Sequence, residues 1–355
     1  MLRWERIDIL PDRWDLLLEE FSDRTIFQSS SWLQFLGEST GGELVLAALR
    51  DGGQECGYFA GIVITRFGIR VLGSPLPGWT TSYMGFVLKP GAPRADALSA
   101  LQRFAFEDLH CVHMELMDRR IQSHNLDSRY RIRDYKGFEI DLSLDENRLF
   151  SNLIPACRRC IRKASRCGVV IEEANDANFA TDYYQQLKDV FARQGLSPTY
   201  GVDRVRTLIH HVGPTGNLLR LRARDGAGRC IATGIFPAMN ERAYFWGGAS
   251  WRQYQHLRPN ESLMWYAIRY WKRRGIRYFD FGGGGDYKRK YGTYGISVPW
   301  LRTSRYPLLP SLRNSLMVVT RLQQRWQGAL TLHRTAGARR EFTEADCAPA
   351  EATDA

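Results

Sequence analysis

Four consecutive glycines at positions 282–285 stand between Tyr278-Phe279-Asp280-Phe281 and the basic, aromatic run Tyr287-Lys288-Arg289-Lys290-Tyr291-Gly292. Residues without a Cβ let backbone approach a bound group closely, and the three cations that follow can meet negative charge there. Residues 260–274 read as a helix stopped by Gly275, and residues 277–281 as a short buried strand. The expected order is helix, strand, glycine loop, basic hairpin. Familiar phosphate motifs do not explain it. Gly285-Asp286-Tyr287 lacks the Gly-Lys-Ser/Thr ending of a Walker loop, and residues 287–294 are poor material for the helix that a dinucleotide fingerprint opens. Asp280-Phe281-Gly282 spells the kinase magnesium triplet without that family's catalytic-loop His-Arg-Asp or glycine-rich lid.

The elements that must position this loop recur along the chain. In the first half, residues 43–50 read as a strand, 51–53 as a turn, 56–65 and 78–87 as further strands, 95–109 as a helix and 111–117 as a strand. In the second, residues 217–224, 230–236 and 242–248 are the strands, followed by the helix 260–274 and the strand 277–281. Antiparallel hairpins leading into a helix and a strand predict an α/β (α+β) fold, with a mixed, mostly antiparallel sheet flanked by helices in each half. Residues 129–142 read as a strand-rich link, and residues 176–194 and 202–211 as helices introducing the second half. The expected divisions are 1–141, 142–310, an amphipathic helix 311–340 after Pro307-Leu308-Leu309-Pro310, and a disordered tail 341–355. The basic amphipathic helix suits docking on its own domain or lying on a membrane surface.

At 355 residues and 44% hydrophobic, the chain can build two cores. Its 49 Lys+Arg against 38 Asp+Glu give a net +11, which favours anionic partners such as nucleotides, tRNA or anionic lipid. The N-terminal residues have no signal-peptide core, and no stretch reaches the ~18 apolar residues of a membrane span, so a cytoplasmic location is expected. Seven scattered cysteines fit reduced thiols. On a helical wheel, Cys157, Cys160 and Cys167 share an arc with Ile161 and Ala164, opposite Arg158, Arg159, Arg162, Lys163 and Arg166. That predicts an amphipathic helix begun by Pro155, with thiols toward the core, no metal site, and a cationic face able to contact a polyanion.

Residues 158–168, 191–195, 232–236 and 244–249, with Asp280-Phe281-Gly282-Gly283 and residues 287–292, resemble in that order the FemAB-like branch of the GNAT acyltransferase superfamily, which includes CelD-type acetyltransferases linked to polysaccharide production. The resemblance covers residues 142–302 well and the first half through its repeated plan. It implies two tandem GNAT-like domains with a cleft between strands. It also implies acyl transfer to an amine, or less often a hydroxyl, with no metal and no covalent enzyme intermediate. In FemABX members the donor is aminoacyl-tRNA and the acceptor a peptidoglycan-precursor peptide. In ordinary members the donor is acetyl-CoA, its pyrophosphate held by an Arg/Gln-x-x-Gly-x-Gly/Ala loop at a helix start. Residues 248–254 depart from that loop.

Acyl transfer needs a neutral nucleophile, a polarised carbonyl and donors for the oxyanion. Lys288, at the basic position of the family's aromatic-Lys-x-x-aromatic-Gly motif, and Lys290 are the candidate oxyanion donors. Asp280, Glu261, Tyr244 and His211 are candidates for proton removal. Gly282, Gly283, Gly284, Arg289, Lys290, Arg158, Arg159 and Arg162 are candidates for binding substrate or donor. Three readings follow: an aminoacyl- or acyltransferase on an amine of a cell-envelope precursor, an acetyl-CoA-dependent N-acetyltransferase in polysaccharide biosynthesis, or a non-catalytic polyanion binder.

Overall fold

The computed structural model describes residues 1–122 and 129–306; the amphipathic helix 311–340 and the tail 341–355 lie outside the described residues. Among the described residues fourteen strands form one sheet. The first half supplies β1 (Arg3–Arg6), β2 (Glu43–Asp51), β3 (Gln54–Arg66), β4 (Ile69–Ser74), β5 (Phe86–Leu88) and β6 (His113–Met117). Next come β7 (Arg131–Asp141), then β8 (Val170–Glu173), β9 (Leu218–Arg224), β10 (Cys230–Met239), β11 (Arg242–Tyr244), β12 (Gly247–Ser250), β13 (Tyr278–Gly283) and β14 (Tyr294–Ser304). The main path runs β1-β2-β3-β4-β6-β14-β7-β13-β11-β10-β9-β8, with β5 returning to β3 and β12 to β10. Two neighbouring pairs are parallel, β4 with β6 and β11 with β13, one in each half. This is an α+β fold of two similarly built units in one open sheet.

The central strands are exchanged. β7 follows the first half in sequence but pairs with β13 of the second, while β14 follows the second half and pairs with β6 of the first. β7 and β14 then pair with each other from Tyr294↔Glu139 to Arg302↔Arg131. Residues 129–142, expected as a strand-rich link, hold a central strand, because the pairing that fixes it is made with chain more than 130 residues away.

One sheet face is buried against α1 (Pro11–Leu18), α2 (Ser30–Thr40), α6 (Phe179–Ala192) and α7 (Val202–Val212), through a core shared by both halves that includes Trp14, Trp32, Tyr183 and Leu208. The opposite face is covered by α3 (Arg94–Arg103) in the first half, and by α4 (Glu146–Asn152), α5 (Pro155–Arg166) and α8 (Pro259–Arg273) in the second. Asp145 caps α4 by accepting from the Arg148 amide at 2.8 Å, and Pro155 opens α5, where a missing N–H costs nothing.

Several expected elements differ in the structure. Residues 78–87 are mostly loop, since Gly78, Thr80 and Gly85 have positive φ and cannot extend; the third strand is β4, and only Phe86 and Val87 of that stretch join β5. Residues 242–248 divide between β11 and β12 where Phe245 and Trp246 change hydrogen-bond partners. The basic hairpin is instead a 3-10 turn, Asp286–Tyr291, ended by Gly292 in the left-handed region at φ 73°. Of the three cysteines placed on the core arc, Cys157 is buried, Cys160 half-buried and Cys167 exposed. Cys167 is the C-cap, where helical geometry has ended and the wheel no longer applies.

A buried polar network ties the halves together. Glu139 of β7 is 1% exposed and accepts from Arg119 at 2.8 Å, from Arg242 of β11 and from the Tyr294 hydroxyl of β14. Removing one partner of a buried ion pair leaves uncompensated charge. Glu139→Ala, which strands two guanidiniums, should lower unfolding free energy by about 3–5 kcal/mol, read as a fall in the urea midpoint with the slope unchanged.

Candidate active site between the two halves

The parallel pair β11/β13 sets the site. Its strands run together through Tyr244↔Asp280, and the Phe245 amide still donates to the Asp280 carbonyl at 2.8 Å. The chain then turns away, the Trp246 amide reaching Ile235 of β10, so the two strands splay apart. The glycine loop and the 3-10 turn occupy the end of that gap.

Each loop residue has a defined restraint. Asp280, 1% exposed, accepts the Gly282 amide at 2.6 Å on one carboxylate oxygen and the Tyr83 hydroxyl at 2.8 Å on the other. Burial raises the Asp280 carboxyl above its ordinary range and pushes the Tyr83 phenol well above its own. The Gly283 amide donates to the Tyr135 hydroxyl at 2.6 Å, and a Cβ on Gly283 would come 2.5 Å from that ring, so only glycine fits. Gly282, Gly284 and Gly285 all have φ between 68° and 77°. Lys288 is 5% exposed and donates from Nζ to the carbonyls of Phe281 at 2.6 Å and Gly283 at 2.8 Å. Burial pulls its ammonium down to about 8.

Two cavities lie back to back across the splay. The first, about 500 Å³, is the cleft between the halves; Lys288, Gly282, Gly283, Tyr135 and Tyr244 line it, facing Pro75–Ser82 of the first half. The second, also about 500 Å³, lies between β12 and the start of α8, lined by Ser250, Asn260, Arg193, Gln194, Tyr287 and Lys290. Phe245 lines both, and the 3-10 turn sends Lys288 toward one cavity and Lys290 toward the other.

The expected site residues separate accordingly. Lys288, Tyr244, Gly282 and Gly283 meet in the cleft. Lys290 lines the second cavity and is paired with Glu261 at 2.7 Å. Asp280 and Glu261 line neither cavity, nor do Gly284 and the exposed Arg289, whose guanidinium packs over Phe138 and pairs with Asp286 at 3.4 Å. On α5, Arg158 donates to the Ser151 and Leu153 carbonyls and Arg162 stacks over Phe150, fastening α4; these two and Arg159 line neither cavity. His211 pairs with Glu38 at 2.7 Å, away from both cavities. Sequence reasoning missed Tyr83, Arg119, Tyr135, Glu139 and Arg242. One signal was present: Glu139 shares the inward face of β7 with Tyr135, a charge on a strand face whose next residues are buried.

Among the described residues no group of three or more His, Cys, Asp or Glu could hold a metal ion, and no helix is long and apolar enough to cross a membrane.

Residues 154–291, which contain the splay, the glycine loop and Lys288, match the family model described as an acetyltransferase (GNAT) domain. Residues 154–291 are thus similar to a GNAT acetyltransferase domain, and the chain shares the fold of a tandem GNAT protein. Among solved structures, that of FemX superposes with a TM-score of 0.65 at 12% identity, covering 83% of this chain and 96% of that one. A tandem GNAT protein from the clavulanic acid biosynthesis pathway gives 0.55 at 12%, covering 86% and 99%. L-PGS from Bacillus licheniformis gives 0.54 at 13%, covering 89% and 98%. No curated protein matches the chain in sequence.

Because Lys288 loses its proton near pH 8 when folded and near 10.5 when unfolded, the folded chain binds fewer protons between those values. Stability should therefore rise with pH across that window. Relative to Lys288→Gln, the wild type should gain on the order of 2 kcal/mol between pH 7.5 and pH 10, measured by urea unfolding at stepped pH.

Proposed function

We propose that this protein is an acyltransferase that moves an aminoacyl or acyl group from an activated donor in the cavity beside α8 to an amine in the cleft between the halves. The observation that carries the reading is the pair of cavities at one splay, both lined by Phe245 and by residues of the Lys288 turn. A transfer enzyme must hold two substrates on opposite sides of one reacting carbonyl, and a gap between parallel strands gives that carbonyl a passage.

The residues suggest how the step runs. Lys288 has three N–H donors, and the Phe281 and Gly283 carbonyls use two. The third is free to meet the oxyanion as the amine nitrogen bonds to the acyl carbon, and low surrounding polarity strengthens that contact. No carboxylate or imidazole is among the described residues lining the cleft. The amine therefore arrives neutral, and its proton leaves with the departing oxygen or sulfur as the donor's acyl bond breaks. Tyr244 and Tyr135 supply hydroxyls at the cleft wall, while Asp280 acts at one remove by holding Gly282.

The donor side argues for an aminoacyl-tRNA over acetyl-CoA. Before α8 the chain forms a 3-10 turn, Arg252–Leu257, in which the Tyr254 amide is bonded to Trp251 and the Arg258 amide to Gln255; Pro259 has no N–H to offer. A pyrophosphate cradle needs such amides free. Arg252 lines that cavity as a cation for a donor's phosphates, beside Arg193 and Lys290, which are paired with Asp189 and Glu261. Together with the resemblance to FemABX proteins, this favours a cell-envelope precursor amine, such as that of a peptidoglycan peptide, as acceptor.

Labelled aminoacyl-tRNA should bind the purified chain near physiological salt, undisplaced by acetyl-CoA, and Lys288→Ala should retain that affinity while losing about 100-fold or more in transfer rate, in the range of losing one oxyanion donor. Binding of acetyl-CoA alone would replace this reading with an acetyl-CoA-dependent N-acetyltransferase of polysaccharide units. Binding of neither would leave a non-catalytic polyanion binder.

A further inference from the structure

The β3/β4 hairpin ends in a tip that the acyl-transfer site does not use. Arg66 and Ile69 are the last pair of that ladder, so Phe67 and Gly68 alone make the turn, with φ of 52° and 74°. A two-residue turn with both residues in the left-handed region favours Asn-Gly, and a bulky aromatic at its first position is strained. Phe67 is also fully exposed, so its ring gains no packing in return. Ile69 beside it is exposed, and so is Arg66, which makes no hydrogen bond or ion pair among the described residues. Neither backbone preference nor packing accounts for a phenylalanine at this position.

The chain leaves the sheet beside the same tip. The Val112 amide donates to the Arg70 carbonyl and the Arg305 amide to the Val112 carbonyl, both at 2.9 Å, so the base of β4, the start of β6 and the end of β14 lie in one row. Two strand spacings, about 10 Å, therefore separate the hairpin from the exposed Arg305 and Tyr306. Residues 307–340, which continue from Tyr306, hold six arginines and no aspartate or glutamate. Glu43, at the start of β2 below the hairpin, is already paired with Arg6 at 2.6 Å and Arg70 at 3.0 Å.

We propose that this end of the sheet docks on an anionic lipid bilayer, with Phe67 entering the boundary between headgroups and acyl chains while Arg66, Arg305 and the arginines of residues 307–340 face the headgroups. The inference does not depend on the acyl-transfer reading. Phenylalanine with flanking cations suits that boundary, where the ring leaves water and the charges stay in the headgroup layer. Each arginine near the negative potential of anionic lipid strengthens binding by about fivefold. A hairpin tip can enter the layer with its backbone paired, because Arg66 and Ile69 close the ladder directly behind the ring. A protein partner would need a pocket shaped for one isolated ring, and a nucleic acid would meet the arginines but leave Phe67 and Ile69 in water. A bilayer takes the apolar tip and the charge around it together.

The test is sedimentation of the full chain with phosphatidylcholine vesicles made with and without phosphatidylglycerol. The wild type should sediment with the phosphatidylglycerol vesicles and far less with phosphatidylcholine alone. Phe67→Asn should bind them about tenfold more weakly, while its urea midpoint holds or rises because asparagine suits the turn. Arg66→Gln should lose about fivefold at low salt and less at high salt. Val170→Thr, which trims an exposed apolar side chain on β8 at the far edge of the sheet, should bind as the wild type does. A wild type that stays in the supernatant, that sediments equally with both vesicles, or that is matched by Phe67→Asn overturns the proposal. A fall in the Phe67→Asn midpoint that parallels its loss of binding also overturns it, by giving the ring a structural role. So does a concentration-dependent dimer of the free chain that Phe67→Asn abolishes, which assigns the tip to a second copy.

Discussion

Glu139 is the constraint on which the rest of the site hangs. A carboxylate with 1% exposure is tolerable only if its lost hydration is replaced, and three segments replace it: Arg119 after β6, Arg242 at the start of β11 and Tyr294 at the start of β14. Those segments come from both halves and from the exchanged strand. The same Arg119 guanidinium donates to the Tyr83 hydroxyl at 2.7 Å, Tyr83 donates to Asp280, and Asp280 accepts the Gly282 amide. A chain of charge-assisted hydrogen bonds thus runs from the middle of the sheet to the glycine loop. The Tyr83–Asp280 link is buried and the others are partly so, and breaking one leaves the next with an unmatched partner.

Strand exchange gives this network a fixed frame. With β7 paired to β13 and β14 paired to β6, neither half can swing away without breaking the central ladder. The cleft walls are therefore set by the sheet, and Lys288 is set in turn by two carbonyls at the end of β13. A lysine buried this deeply is held by what surrounds it, so its proton affinity reports on the cleft: burial, partly offset by the Asp280 carboxylate, brings it to about 8.

How much of this was legible follows from how local each feature is. The hairpins β2/β3 and β9/β10, the helices α5 and α8 and the strand β13 are written in alternation, turn residues and caps within a dozen residues, and they stand close to where periodicity puts them. The glycine run and Lys288 were legible for the same reason. The place of β7 was not, because its partners are remote in sequence, and nothing local distinguishes a central strand from a linking one. Residues 286–291 read as a hairpin since aromatics and glycines disfavour a long helix, yet a single 3-10 turn needs no such propensity. That one difference sent Lys288 and Lys290 to different cavities. The cleft between the halves left the least trace: Leu76, Tyr135, Trp300 and Lys288 converge from four separate segments, and convergence of that kind has no motif.

The two halves also show why only one of them keeps an open splay. β4 and β6 run parallel through Ser74↔Leu116, just as β11 and β13 do through Tyr244↔Asp280. In the second half two residues, Phe245 and Trp246, bridge the parting strand to β12, and the gap remains as the two cavities. In the first half the bridge is the whole stretch 75–85, and it turns back over its own strand; a Cβ at Gly73 would lie 2.3 Å from Leu76. Arg94 of α3 closes the same region by donating to Asp118 at 2.6 Å and to the Phe86 carbonyl at 3.1 Å. What the first half loses as a splay it contributes elsewhere, because that long bridge is the segment that supplies Tyr83 to Asp280 and residues 75–82 to the cleft wall. On the transferase reading, a duplicated unit has divided its work: one copy keeps the gap for the donor, and the other has filled its gap to build a wall for the acceptor.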